Sequence, residues 1–129
     1  MPNETVTAAG EPAPTGPYSP AVAASGGRTL WLSGQIADAP DGGLVGGADP
    51  EAQARECLRK LDTLLTAAGG TREDVVKVGV YLTDMADRAA VARARVDYFG
   101  AHRPAATLLE VSALAIPGAV VEIEAYAVL

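Results

Sequence analysis

Aromatic residues, cysteine and histidine are all scarce in this chain of 129 residues. Phe, Trp and Tyr together make up 5% of the sequence, whereas hydrophobic residues as a whole make up 49%. A packed core therefore has to be built mainly from Ala, Val, Leu and Ile. The high hydrophobic fraction excludes an intrinsically disordered chain. The length allows one domain with a modest core and is too short for two ordinary domains.

Cys57 is the single cysteine and His102 is the single histidine. One cysteine cannot form an internal disulfide, which fits a reducing compartment. Cys57 falls on the apolar stripe of a predicted helix, so we interpret it as a buried thiol. With one histidine in the chain, we expect neither a Ser/His/Asp triad nor a metal site.

The sequence also lacks a surplus of basic charge, a long apolar run and a signal peptide. Its formal net charge of −6 argues against binding to nucleic acid or to anionic membranes. No apolar run approaches the roughly 18 residues that span a bilayer. The first residues, MPNETVTAAGEPAP, lack the basic start and apolar block of a secretory signal. We therefore expect a cytoplasmic protein with no nucleic-acid or membrane partner.

Pro, Ala and Thr without periodicity predict a flexible tail over residues 1–15, and one domain follows over residues 16–129. Early in this domain, residues 22–25 have an extended pattern and Gly26-Gly27 predicts a turn. Residues 28–33 alternate, with Leu30 and Leu32 on one face. Together these segments predict a β-hairpin.

A helix is predicted to begin at Asp49, which can cap it, with Pro50 in the first turn. Its apolar stripe continues to Ala68, and Gly69-Gly70 ends it. Four further elements are predicted downstream: a strand over 76–82, a helix over 86–99, and strands over 106–112 and 120–128. The order β-β-α-β-α-β-β predicts an α+β sandwich with two helices over one face of a sheet.

The last predicted strand carries two acids. Its odd-numbered residues, from Val121 to Ala127, are apolar, whereas Glu122 and Glu124 share the other face with Tyr126 and valines. Two helices can cover only one face of the sheet. The second face is too apolar to be left in water, so we predict that other subunits cover it.

Five stretches resemble the RidA/YjgF (reactive intermediate deaminase) family, in order and in spacing: GPYSPAV, LWLSGQI, DVVKVGVYLTDM, DYFGAHRPA and VVEIEAYAV. The resemblance covers Gly16 to Val128. It implies a chorismate-mutase-like α+β fold, with a mixed sheet and two helices on one face, in a homotrimer with a central barrel. It also implies a small-molecule ligand in clefts between subunits. There, relatives hydrolyse imines and enamines to 2-keto acids and ammonia with no cofactor and no metal.

The resemblance implies roles for particular residues. Tyr18 corresponds to a tyrosine that lines the cleft, Ser33 and Gly34 to its wall, and Glu122 to the glutamate that holds the hydrolytic water. Imine hydrolysis needs a base for the water and a proton for the nitrogen, and a half-buried carboxylate can supply both. The alternative for Glu122 is a structural acid that pairs with a basic residue or faces a wet barrel interior. We interpret Glu124 as structural, and Ser33, which has no base partner, as a hydrogen-bonding residue.

One position departs from the family pattern. Deaminating members carry an arginine after Pro-Ala, where it clamps the substrate carboxylate, but here Pro104-Ala105 is followed by Ala106 and Thr107. Alanine cannot replace a guanidinium fork. Arg103 is an odd number of positions from Ala106, so in a strand it would point to the other face. We retain Ala106 and Thr107 as candidate substrate-binding residues, Thr107 through its hydroxyl or backbone N–H.

The leading hypothesis is an enzyme that acts on a small imine, enamine or related carbonyl compound through Glu122. Because of Ala106, we expect poor activity on 2-imino acids. The alternative is a non-catalytic trimer that binds a metabolite or a partner enzyme. A ribonuclease activity, with which some relatives are labelled, is disfavoured by the acidic charge and the lone histidine.

Overall fold

The computed structural model of the protein describes residues 3–129. One short 3₁₀ turn, Arg72–Asp74, lies directly before the strand that begins at Val75. Another, Met85–Asp87, lies directly before the helix that begins at Arg88. The strands and helices of these residues, in chain order, are β1 (Asn3–Val6), β2 (Ala21–Ala24), β3 (Thr29–Gln35), α1 (Pro50–Ala67), β4 (Val75–Leu82), α2 (Arg88–Phe99), β5 (Ala105–Glu110) and β6 (Val121–Val128).

The main sheet has four strands in the order β3-β6-β4-β5. β4 and β5 are parallel and are joined by the crossover helix α2, as parallel neighbours require. β6 is antiparallel to both of its neighbours. Both helices contribute to one buried cluster with the same face of this sheet. The predicted α+β fold, with a mixed sheet and two helices on one face, is confirmed.

Helix α1 begins and ends where the sequence predicts. The Asp49 carboxylate accepts a hydrogen bond from the Glu51 backbone N–H at 3.0 Å, and Pro50 is the first helical residue. The helix ends at Ala67, and Gly69 then adopts a φ of +87°, a conformation that favours glycine. This helix brings Cys57 into the core, where the side chain is fully buried, and the predicted buried thiol is confirmed.

Alternation along β6 separates the core from the open face as predicted. Val121, Ile123, Ala125 and Ala127 are 0–1% exposed and pack under the helices. The residues between them lie on the opposite face, which no helix of residues 3–129 covers. On that open face Trp31 is 73% exposed, and its ring lies 5.1 Å from that of Tyr126 between centroids.

The N-terminal segment differs from the prediction. Met1 and Pro2 lie outside the described residues, but Asn3–Val6 forms β1, antiparallel to β2 over four residue pairs. The Asn3 side chain also donates a hydrogen bond to the Glu73 carbonyl at 3.1 Å. The flexible tail predicted over residues 1–15 is therefore wrong for residues 3–6. Four residues are too few to show a periodicity, and their partner strand is distant in sequence.

The predicted hairpin between residues 22–25 and 28–33 is also wrong. β2 pairs with β1, whereas β3 pairs with β6 in the other sheet. Gly26 and Gly27 both have positive φ and redirect the chain between the two sheets. Just before β3, reciprocal hydrogen bonds between Arg28 and Leu129 extend its ladder past the end of β6. Pairing with β6 places Leu30 and Leu32 against the core, which a local hairpin would not do.

Candidate functional site

A β-bulge in β3 holds two of the predicted site residues. Leu32 and Gln35 are three positions apart in β3, but they pair with β6 residues only two positions apart. Ser33 and Gly34 therefore lie in a bulge beside β6. Bulges of this kind re-aim side chains and are common next to functional sites.

The Glu122 side chain lies directly over Gly34. A Cβ atom on Gly34 would be 2.0 Å from Glu122 Oε2 and 2.8 Å from its Cδ, so a larger residue would displace the carboxylate. Ser33 is exposed beside it. None of the ion pairs found within residues 3–129 involves Glu122. The alternative of a structural acid paired with a base is thus not found among the described residues.

Glu124 is held differently from Glu122. The Tyr81 hydroxyl donates a hydrogen bond to Glu124 Oε2, and this bond, together with burial, raises the pKa of Tyr81 to about 12. Gly79 lies under Glu124, where a Cβ atom would be 2.7 Å from Oε2. The glutamate that the sequence marks as structural is therefore the one fixed by a hydrogen-bonded partner.

Tyr18 and Ala106 line a second region, a pocket of about 280 Å³ at the β5 edge of the sheet. The segment that carries Tyr18 is tied to the start of β5. The Ser19 backbone N–H donates to the Pro104 carbonyl at 3.1 Å, and the Ser19 hydroxyl donates to the Arg103 carbonyl. The rest of the pocket wall is formed mainly by residues 16–17, Arg88, Ala92, Arg95 and Leu108.

Sequence reasoning did not identify the arginines of this pocket. Arg88, Ala92 and Arg95 are spaced i, i+4 and i+7, which places them on one face of α2. Arg95 is only 5% exposed, and its Nε has no hydrogen-bond partner among residues 3–129. Burial and the nearby charge of Arg103 both lower the pKa of Arg95. The feature of the sequence that could have pointed to Arg95 is a charged residue on the apolar inner stripe of α2.

Two other polar residues near Ala106 are engaged elsewhere. Arg103 Nη1 donates hydrogen bonds to the carbonyls of Gly100 and His102, so its guanidinium caps the end of α2. Thr107 Oγ1 accepts a hydrogen bond from Lys77 Nζ at 3.0 Å. Ala106 packs against the core under the helices, whereas Thr107 is exposed. The structure therefore does not bring Thr107 together with Tyr18 and Ala106.

The predicted site residues other than Thr107, together with the two pocket arginines, fall into two groups within one chain. We call Ser33, Gly34 and Glu122 the acidic half-site, and Tyr18, Arg88, Arg95 and Ala106 the basic half-site. The acidic half-site lies on the open face at β3 and β6, and the basic half-site lies on the helix side at β5. β4 runs between β6 and β5. A single chain thus presents two halves that do not meet.

Two kinds of feature are absent from residues 3–129. No group of three or more His, Cys, Asp or Glu side chains is placed to hold a metal ion. No helix in this part of the chain is long and apolar enough to cross a membrane.

Comparison with known proteins identifies the family of the chain. A family model described as endoribonuclease L-PSP matches residues 8–129. The crystal structure of a protein of the conserved Rid family from Yersinia pestis matches with a TM-score of 0.89 and 37% identity, over 100% of both chains. The chain belongs to the RidA/YjgF family. The resemblance seen in the sequence is therefore confirmed.

Other RidA/YjgF relatives are similar in sequence over most of the chain. A RutC family protein of Pyrococcus horikoshii is 40% identical over 124 residues, which cover 96% of each chain. A Mus musculus protein named 2-iminobutanoate/2-iminopropanoate deaminase is 42% identical over 118 residues, or 91% of this chain and 84% of that protein.

Proposed function

We propose that the protein hydrolyses a small imine or enamine, or acts on a related carbonyl metabolite, in clefts between the subunits of a homotrimer. Glu122 takes a proton from the attacking water and returns one to the departing nitrogen. Support comes from membership of the RidA/YjgF family and from the name of the mouse relative. The observation that carries the proposal is the Glu122 carboxylate, which is set against Gly34 and has no ion-pair partner within residues 3–129.

The division of the site favours a cleft shared between copies. The acidic half-site of one chain meets the basic half-site of its neighbour in the proposed assembly. The open face of the sheet supports such an assembly because it exposes Trp31 and Leu109, which are 73% and 43% exposed. Large apolar side chains on one contiguous face are typical of a surface that another subunit covers.

Position 106 restricts the substrate. An alanine there offers no guanidinium fork from β5 to a carboxylate beside the reacting carbon. We therefore expect short 2-imino acids, such as 2-iminobutanoate, to be poor substrates in comparison with imines that lack a carboxylate on the reacting carbon.

The endoribonuclease description of the family model is the competing activity. A pocket of about 280 Å³ suits a small molecule. RNA-binding surfaces combine a basic groove with stacking aromatics, whereas this chain has a net charge of −6. These two properties favour the hydrolysis of a small substrate.

A coupled assay tests the proposal. Amine and amino-acid oxidases generate a panel of imines in situ, and the loss of each imine is followed by semicarbazone trapping. We expect the protein to accelerate the loss of at least one imine, with 2-iminobutanoate among the slowest. Glu122→Gln should reduce the acceleration by a factor on the order of 10² or more, as for the loss of a general acid–base. The matched variant Glu124→Gln, on the same strand and face, should keep most of it.

Two outcomes would contradict the proposal. If no imine of the panel is hydrolysed faster than in buffer, the protein is not this kind of enzyme, and a non-catalytic binding trimer is favoured. If Glu122→Gln and Glu124→Gln lose activity equally, Glu122 is not the specific acid–base. Rapid turnover of 2-iminobutanoate would show that the interpretation of Ala106 is wrong.

A further inference from the structure

The basic half-site concentrates positive charge that the proposed hydrolysis does not use. Its pocket is lined by Arg88, Arg95 and Tyr18, and no acidic residue lines it. This is unusual in a chain with 16 acidic and 10 basic residues. A concave surface with one sign of charge concentrates ligands of the opposite sign.

Arg95 differs from three other arginines of the helices in its pairing and from Arg88 in being a buried polar side chain. Arg55, Arg59 and Arg93 each form an ion pair with a carboxylate at 2.6–2.8 Å. Arg95 takes part in no ion pair found within residues 3–129, although it is only 5% exposed. Burial of an unpaired charge is unfavourable, and a carboxylate that enters the pocket would supply the partner that Arg95 lacks among residues 3–129.

We propose that Arg95 binds the carboxylate of a small organic acid in this pocket and is the specificity-determining residue of the cleft. A guanidinium presents a planar fork that matches the two oxygens of a carboxylate. Ala92, Ala106 and Leu108 provide an apolar wall for the carbon skeleton of the acid. Arg103 does not line this pocket, and its Nη1 donates to the carbonyls of Gly100 and His102.

The position of Arg95 defines how the acid is held. Arg95 lines the pocket from α2, in the helix layer, whereas position 106 lies in β5. A carboxylate held from the helix side is placed differently from one clamped beside β5. The inference rests on the proposed function only for the cleft that they share, and it adds that the preferred substrate is an acid whose carboxylate is not on the reacting carbon.

Binding of butanoate and of its neutral isostere butanamide, titrated into the full-length protein by calorimetry, tests the inference without requiring turnover. We expect butanoate to bind at least about tenfold more tightly than butanamide. Arg95→Gln should remove this preference, and Arg95→Lys, a point charge without the fork, should restore part of it. The matched control Arg93→Gln, an exposed arginine of the same helix, should keep the preference. Inorganic phosphate should bind more weakly than butanoate.

A second variant covers the case in which Arg95→Gln does not fold. Ala92→Glu places a carboxylate about one helical turn from Arg95, within the pocket wall. We expect this internal acid to pair with Arg95 and to weaken butanoate binding at least tenfold without lowering the melting temperature. Equal binding of butanoate by Ala92→Glu and wild type would overturn the inference, as would tighter binding of phosphate than of butanoate.

The two proposals fail separately. If butanoate binding depends on Arg95 but no imine is hydrolysed, the inference stands and the proposed function falls. If imines are hydrolysed through Glu122 but the wild type binds butanoate and butanamide equally, the inference is wrong and the proposed function stands.

Discussion

The Glu122 carboxylate lies against Gly34 so closely that a methyl group on this glycine would be 2.0 Å from Oε2. In the same way, a methyl group on Gly79 would be 2.7 Å from Glu124 Oε2. Each acid of β6 is thus seated over a glycine of the neighbouring strand. The absence of a side chain at these two positions fixes where the carboxylates can lie.

The substitution Gly34→Ala tests whether this seat positions Glu122 for catalysis. The φ of Gly34 is not in the left-handed region, so the added methyl group acts mainly through its collision with the carboxylate. We expect imine hydrolysis to fall at least tenfold while the melting temperature changes by only a few degrees. Gly79→Ala, which displaces Glu124 instead, should keep most of the activity. Equal losses in the two variants would show that the position of Glu122 is not special.

The substitution Trp31→Lys tests the proposed assembly. Trp31 is 73% exposed on the open face, so a lysine there would bury a charge in any interface that covers this face. We expect light scattering after size-exclusion chromatography to show a shift from trimer towards monomer. Leu64→Lys, at a 43% exposed position of α1, is the charge-matched control and should leave the mass unchanged. A monomeric wild type would contradict the proposed trimer.

Cys57 should be chemically inert in the folded protein. Burial raises the pKa of its thiol to about 12, so little thiolate is present at pH 8. Iodoacetamide should then label Cys57 slowly, at a rate that follows unfolding, and rapidly in concentrated urea. Because the folded pKa lies above the unfolded value, the neutral thiol contributes stability below about pH 9 that is lost as the pH rises towards 12. The stability of Cys57→Ala should fall less steeply over that range, and fast labelling of native protein would contradict this prediction.

Gln53 should be an important polar residue of the core. Its side chain is fully buried and donates to the carbonyls of Gly47 at 2.6 Å and Gly118 at 3.1 Å. Its Oε1 accepts from the Val120 N–H at 2.9 Å. Gln53→Met leaves these backbone groups without partners, so we expect the free energy of unfolding in urea to fall by about 2–4 kcal/mol. Gln35→Met, which removes only a local bond to Ser33, should cost less than about 1 kcal/mol.

The parts of the fold that the sequence predicts are those set by local patterns. The cap at Asp49, the glycine stop at Gly69 and the alternation along β6 each depend on a few neighbouring residues, and each was confirmed. The pairing of β1 with β2 and of β3 with β6 depends on contacts between distant segments, and the predicted hairpin missed it. Period-two alternation indicates a strand but does not name its partner.

In the candidate site, too, some features could be predicted from the sequence and others depend on how distant segments pair. The positions of Glu122 and Gly34 could be anticipated from the family resemblance, and the structure brings them into contact. Their separation from Tyr18 and Ala106 could not be anticipated from the sequence, because it follows from the order of strands in the sheet. Arg95 was missed as a site residue because its position near the inner stripe of α2 does not reveal that it is buried without a partner beside a pocket.

The separation of the half-sites has a genetic consequence. In the proposed trimer, Glu122→Gln and Arg95→Gln each damage a different half, so a cleft between one subunit of each kind would hold either two intact halves or two damaged ones. Mixed trimers, formed by co-expression of two inactive variants, should therefore regain part of the wild-type activity. Two copies with lesions in the same half should not. In a cell that expresses two alleles, defects in this protein would complement one another according to the half-site in which they lie.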